Sequence, residues 1–272
     1  MMKIVSFNIN GLRARYHQLE ALVEKHNPDI IGLQETKVHD SEFPHGQLAA
    51  LGYHIIHHGQ KAHYGVATLS RREPQSVIKG YPNEEPEHQR RTLISAYELA
   101  NGSVLRIING YFPQGENRAH PVKFPHKRDY YENLYQWLTS EADPEDQLIV
   151  LGDLNVAPTD ADIGIGDDNL RRWLRTGKCS FLPEERNWYQ KLYSWGLLDS
   201  WRELNPTATE QFSWFDYRSR GFEAEPKRGL RIDMILATKG LQQRCTDAGI
   251  DYELRSMEKP SDHCPIWAEF TL

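Results

Sequence analysis

The chain has 272 residues, 39% hydrophobic and 26% charged, an ordinary globular composition with enough apolar material for a large core. Its formal net charge of −6 does not advertise a nucleic-acid partner, so a binder of phosphates would have to gather its cations on one face. No stretch approaches the roughly 18 apolar residues of a membrane span, the opening MMKIVSFNI lacks a signal-peptide core, and Cys179, Cys245 and Cys264 are too scattered for a disulfide framework or a zinc motif and fit a reducing cytosol.

No Ser/Gly tract, Pro-rich run or long charge block marks a linker, so residues 1–272 are read as a single domain. Lys3 to Asn8 is a strand pattern ending in a polar residue. Leu12, Tyr16, Leu19 and Val23 follow helical spacing, and the helix should stop before Pro28, because the residue preceding a proline disfavours the α region. Asp29 to Gln34 is a second apolar strand, followed by Glu35. From Tyr53 to Leu99 the sequence is β-rich, with strands expected at Tyr53–His58, Tyr64–Ser70 and Thr92–Leu99. Asn101-Gly102 reads as a hairpin turn into another strand, Val104 to Tyr111. Residues 112–128 then form a long irregular stretch, and its aromatics and cations, among them Arg118, Lys123, Lys127 and Arg128, disfavour plain disorder.

Tyr131, Leu134, Trp137 and Leu138 mark an amphipathic helix leading to the apolar run Leu148–Leu151. Gly152 ends that strand, and Asp153 and Asn155 follow one residue apart, so in an extended segment they project to the same side. A carboxylate and a carboxamide delivered together suit a hard cation or a polarised phosphate; an Asx-type turn satisfying its own backbone is the plainer alternative. Likewise Asn8 alone reads as a turn or cap residue, and Glu35 alone as a solvated loop acid. The acidic TDADIGIGDDN lacks the spacing and closing glutamate of a calcium loop. Trp188, Leu192 and Trp195 outline a core-facing helix ending at Gly196. Between Gln211 and Arg231, five basic and three acidic residues interleave with Phe212, Trp214, Phe215, Tyr217 and Phe222, which fits phosphate contact and stacking as well as it fits a hairpin with its aromatics turned inward. Asp233 interrupts an apolar strand and needs a partner, and Asp262-His263 precede the last strand.

The candidates Asn8, Glu35, Tyr111, Asp153, Asn155, Asp233, Asp262 and His263 mostly sit at strand ends and must converge through the fold. The oxygen donors Glu35, Asp153, Asn155 and Asp262 suit Mg²⁺ or Mn²⁺. A histidine near such an ion can do acid–base work, with Asp233 orienting it, and no Gly-x-Ser-x-Gly elbow offers a serine nucleophile. A metal, a water and a base imply hydrolysis, and the cationic loops imply a phosphate substrate. No role is evident for His57, His58 or His63.

Eight blocks in order along nearly the whole chain, SFNINGLRAR, LQETK, NGYFPQG, LGDLNVAPTDADIGIG, WLRTGKCSFLPEER, SWFDYRSRGF, RGLRIDMILA and RSMEKPSDHCPIWA, resemble the exonuclease III family of the endonuclease/exonuclease/phosphatase superfamily. The resemblance implies a four-layered α/β sandwich of two packed mixed β-sheets flanked by helices. It implies a metal-dependent enzyme of DNA repair that cuts duplex DNA 5′ to abasic sites and removes nucleotides or blocking groups from recessed or blocked 3′ ends. By motif, Glu35 of LQETK is a metal ligand, Asp153 of GDLN a general acid/base and metal ligand, and Asn155 a transition-state donor with metal contact. Tyr111 of NGYFPQG is an active-site tyrosine, Asp262 of SDH a metal-associated acid, and His263 the catalytic histidine partnered by Asp233. Asn8, Lys123 and Trp214 are the expected substrate contacts. A cytoplasmic monomer using Mg²⁺ is the expectation, Mn²⁺ being a possible substitute. Other phosphoesterases of the superfamily would share the metal and phosphate residues, and the aromatic–basic segment around Trp214 and the FPQGEN and KFPHKR blocks favour the repair enzymes. A non-catalytic binding module would have no need of all eight site residues.

Overall fold

The structure, a computed structural model, describes residues 1–82 and 88–272. Every strand expected from an apolar run is present, and the strands sort into two six-stranded mixed sheets. The first sheet has the order β11 (Cys245–Ile250), β12 (Ile266–Phe270), β1 (Met2–Asn8), β2 (Ile30–Gln34), β4 (Val66–Ser70) and β3 (His54–His58). The second has the order β5 (Ser76–Lys79), β6 (Thr92–Glu98), β7 (Val104–Tyr111), β8 (Gln147–Asp153), β10 (Asp233–Thr238) and β9 (Leu197–Asp199). Among the described residues, only the pairs β1/β2 and β7/β8 are parallel, and each needs a helical crossover: α1 (Tyr16–His26) for the first and α3 (Lys123–Glu141) for the second.

Alternation along the strands builds three apolar layers. In β8, Ile149 and Leu151 point between the sheets with Ile4, Ile107, Ile235 and Phe270, while Leu148 and Val150 point outward. There they meet Tyr131, Leu134 and Leu138 of α3, and Leu192 of α5 (Pro183–Trp195). On the far side, Val5, Phe7, Ile31 and Leu33 pack under Leu19 and Leu22 of α1 and Leu254 of α8 (Tyr252–Arg255). The result is the expected helix–sheet–sheet–helix sandwich. Among the described residues, no helix is long and apolar enough to cross a membrane.

The helix ends follow their local chemistry. Asn27 takes a left-handed conformation and its N–H closes α1 on Val23, which leaves Pro28 outside. One expectation fails. The last third of the "irregular" stretch is helical, because α3 begins at Lys123 with Pro125 in its first turn, where backbone N–H groups lack intrahelical partners and a proline is tolerated. Asp167 and Asp168 form the first turn of α4 (Asp167–Thr176), where carboxylates favour the positive end of the helix dipole.

Asp251 ties α1 to the start of α8. Its carboxylate lies 2.6 Å from His26 Nε2 and accepts Lys25 Nζ at 3.0 Å and the Leu254 N–H at 3.0 Å. Burial would raise its pKa, but His26, Leu254 and Lys25 outweigh that and hold it at about 2. The unfolded value is about 3.9. A depressed folded pKa contributes stability above the unfolded value, and the contribution disappears as pH falls through the folded one. Asp251→Asn is therefore expected to lower the urea midpoint at neutral pH, with a gap to wild type that closes between about pH 4 and pH 2. A gap constant across that window would show that the charge is not what holds this joint.

Candidate active site

Toward the carboxyl ends of β1, β2, β7 and β8, the layer between the sheets turns from apolar to polar. The change starts with a buried amide cluster. Gln34 Nε2 donates to Asn109 Oδ1 at 2.8 Å, and Asn109 Nδ2 donates to the Ala67 carbonyl at 2.8 Å. Beyond it, register places Tyr111 beside Asp153 and Asp233 opposite Asp153. Gly152, paired with Gly110, has φ +148°, and a Cβ there would lie 1.8 Å from the Gly110 carbonyl oxygen. This glycine lets β7 and β8 close up immediately before Asp153.

Asn8 is the hinge of the cluster. Its Nδ2 donates to Glu35 Oε1 and to Asp153 Oδ2, both at 3.0 Å, and its Oδ1 accepts the Asn10 N–H at 3.1 Å. Asp153 has the same double use, with Oδ1 accepting the Asn155 N–H at 3.0 Å while Oδ2 faces the cluster. The turn reading and the site reading thus hold together at both strand ends: one side-chain atom turns the chain and the other reaches the cleft. Asn155 sits at φ +53° and anchors its amide on the Phe112 carbonyl at 2.9 Å. Glu35, at φ +51°, is approached by Lys37 Nζ at 3.1 Å and lines the cleft together with Tyr111.

Asp233 has the partner its burial demands. His263 Nδ1 lies 2.9 Å from Asp233 Oδ2, and His263 Nε2 lies 3.8 Å from Asp153 Oδ2. Burial works against a charged imidazole, but Asp233 and then Asp153 outweigh it, so the His263 pKa is raised and the ring is a cation at neutral pH. The Asp153 pKa is also raised, by burial first, against the pull of His263. Burial would lift Glu35 too, but Lys37, Asn8 and His263 hold it below the usual carboxylate range. Desolvation, reinforced by Glu35, pushes the Tyr111 hydroxyl well above its ordinary value, so it stays protonated.

These groups open into a cleft of about 500 Å³, lined by Glu35, Tyr111, Asp153, Asn155, Asp262 and His263 on its floor side. Trp214 stands on its wall and donates Nε1–H to Asp262 Oδ2 at 3.0 Å, while Asn10 Nδ2 reaches Asp262 Oδ1 at 2.8 Å. The aromatic segment divides: Phe212 and Phe215 are buried in the core, and Trp214 faces the cleft. Four cations line the same cleft, Arg172, Lys178, Arg218 and Arg228. Arg218 and Arg228 lie in the basic segment visible in the sequence; Arg172 and Lys178 come from α4 and its exit, which no local signal marked. Lys123 is not brought to the cleft. It is exposed at the tip of α3 and pairs with Glu116. Lys127, one turn on, is fully buried against Glu185.

One donor atom each from Glu35, Asp153 and His263 lies within 4.8 Å of the others, a grouping that can hold a cation. The two carboxylates are hard donors suited to an oxygen-seeking divalent ion. His263 is less suited, since it is charged and held by Asp233. Both Asp262 oxygens are already engaged, by Asn10 and Trp214, at the edge of this grouping.

Two packed mixed sheets with helices outside, and an acidic amide-and-histidine cluster at the strand ends, define a phosphoesterase-type architecture, and the chain belongs to the Endonuclease/Exonuclease/phosphatase family, whose sequence profile matches residues 5–263. Among individual relatives it is 58% identical to "Exodeoxyribonuclease III" of Haemophilus influenzae over 269 residues, covering 99% of this chain and 100% of the relative. Among solved structures, an AP endonuclease from Archaeoglobus fulgidus superposes with a TM-score of 0.89 at 34% identity, and a 3′ phosphatase from Neisseria bound to a product DNA hairpin with 0.88 at 36%. Coverage is 100% of both chains in each pair.

Proposed function

We propose that this protein is a Mg²⁺-dependent phosphodiester hydrolase of DNA repair, which incises duplex DNA on the 5′ side of abasic sites and clears nucleotides or blocking groups from 3′ ends. The observation that carries the reading is the meeting of Asp153 with Glu35 and His263 at the floor of a cleft walled by Trp214 and four cations. Full-length similarity to an exodeoxyribonuclease III and to AP endonucleases supports it. Arg172, Lys178, Arg218 and Arg228 attract the DNA backbone despite the net negative charge of the chain. Trp214 offers a flat face to a sugar that lacks its base, and such a sugar leaves the stack at lower cost than a paired nucleotide.

Glu35 and Asp153 would hold Mg²⁺, or Mn²⁺ in its place; when bound, the ion neutralises charge on the scissile phosphate and on the departing 3′-oxygen. Asp153, with its raised pKa, takes the proton from the attacking water. His263, kept charged by Asp233, donates from Nε2 to a non-bridging oxygen as negative charge grows there, and Asn155 acts beside it. Tyr111, protonated, positions the phosphate, and Asn8 sets the spacing of the two carboxylates. Asp262 holds Trp214 and Asn10 in place at the cleft edge. We place the enzyme in the cytoplasm as a monomeric single domain.

The test is a labelled duplex with one central abasic site, run beside the same duplex with a normal base, in Mg²⁺ and in chelator. Rapid incision 5′ to the lesion, in Mg²⁺ only, is the expected result. End-digestion that ignores the lesion would remove abasic recognition from the reading and leave a 3′ exonuclease. Binding without cleavage in either condition would overturn it altogether.

A further inference from the structure

Away from the carboxylate cluster, a second group of side chains is built like a metal site of a different chemical class. Asp40 accepts hydrogen bonds from Gly59 N–H at 2.7 Å and Arg90 Nη1 at 2.9 Å, and its Oδ1 lies 2.5 Å from His57 Nδ1. A carboxylate in that position fixes the proton of His57 on Nδ1, which leaves Nε2 as a bare lone pair. The ring cannot turn away, because Phe43 stacks on it at 4.1 Å with planes 2° apart. Burial lowers the His57 pKa further than Asp40 raises it, so the ring is neutral at physiological pH. That lone pair points at a second imidazole: His45 Nε2 lies 2.8 Å away, on an exposed residue at the start of α2 (His45–Ala49).

We propose that His45 and His57 form a surface site for a borderline transition-metal ion, Zn²⁺ or one of its neighbours, with Asp40 as the outer carboxylate that orients and strengthens His57. Imidazole nitrogens favour Zn²⁺, Cu²⁺ and Ni²⁺ over Mg²⁺, so this pair and the Glu35–Asp153 oxygens select different ions. The geometry needs little change. Metal–nitrogen bonds of about 2.0–2.1 Å at a tetrahedral angle separate two nitrogens by about 3.3 Å. The exposed His45 ring has to open by about 0.5 Å to accept the ion. His45 is exposed, so water or an incoming ligand would complete the shell from that side. Bound there, the ion staples α2 to the edge strand β3.

The test is a Zn²⁺ titration of the full chain in excess Mg²⁺, followed by calorimetry and by the ring ¹⁵N resonances of the histidines. The expected result is one Zn²⁺ taken up per chain with the Nε2 signals of His45 and His57 shifting together. His45→Asn and His57→Asn should each lose that equivalent while retaining Mg²⁺-dependent nuclease activity. Because His45 is exposed, His45→Asn is the variant whose folding is least at risk. Zn²⁺ uptake unchanged in His45→Asn, or Nε2 signals that do not move in the wild type, would overturn the proposal and leave a hydrogen-bonded imidazole pair.

Discussion

Asp153→Asn is expected to lower the turnover of an abasic duplex by about 10²- to 10⁴-fold, the range for loss of a general acid–base group. The amide is nearly isosteric. It can still accept the Asn155 N–H that shapes the loop, so the effect should be on chemistry more than on the fold. What it loses is the charge, and with it the base, at a site that is 1% exposed and where Asn8 and His263 both face the same oxygen. Two losses are folded into one substitution, because Asp153 is proposed both as base and as ligand. They separate by metal titration. If only the ligand role mattered, rates would return toward wild type as Mg²⁺ rises. If the base role dominates, kcat stays low at saturating Mg²⁺, and that is the expected pattern. Near-normal kcat in a preparation free of wild-type enzyme would remove Asp153 from the centre of the mechanism.

How far the sequence could be read depended on what each residue faces. β1, β2, β7, β8 and β10 carry apolar residues toward a helix layer on one side and the other sheet on the other, so their runs stand out. β5 is exposed at all four positions, β9 has three residues, and β11 is bulged with only Cys245 buried, so none shows a pattern to read. In α4 only Trp173 is buried, and a helix with so narrow a contact looks like polar loop. Polar residues ending apolar strands pointed to Asn8, Glu35 and Asp153, yet the contact that joins them spans 145 residues between Asn8 and Asp153 and is fixed only by sheet packing. The cations were harder. Lys123 and Lys127 lie in one stretch with the same composition. The start of α3, hidden by Pro125, sends the first outward to Glu116 and draws the second into the core.

Lys127 therefore makes the strongest stability prediction. Its Nζ lies 2.5 Å from Glu185 Oε1 with both side chains 0% exposed, and it also donates to the Asn155 carbonyl at 2.8 Å and the Gln114 carbonyl at 3.2 Å. Glu185 Oε2 in turn accepts the N–H groups of Ser180 and Leu182, each at 2.8 Å. One buried ion pair thus knots three loops, and Gln114, Asn155 and Ser180 on those loops all line the cleft. Lys127→Met fills the space but leaves an unpaired buried carboxylate, a change that costs about 3–5 kcal/mol. For a chain of this size, that is a fall in Tm of roughly 10 °C. Removing the stranded charge as well, in Lys127→Met/Glu185→Gln, should restore part of the loss. A full return is not expected, since a glutamine oxygen accepts the Ser180 and Leu182 N–H groups less strongly than a carboxylate does. Thermal melts of the wild type, the two single variants and the double variant form a double-mutant cycle. Single-variant losses that simply add would show that the pair is not energetically coupled. Coupling, together with a lower kcat for Lys127→Met at temperatures where it stays folded, would show that the knot behind the cleft also sets where Asn155 stands.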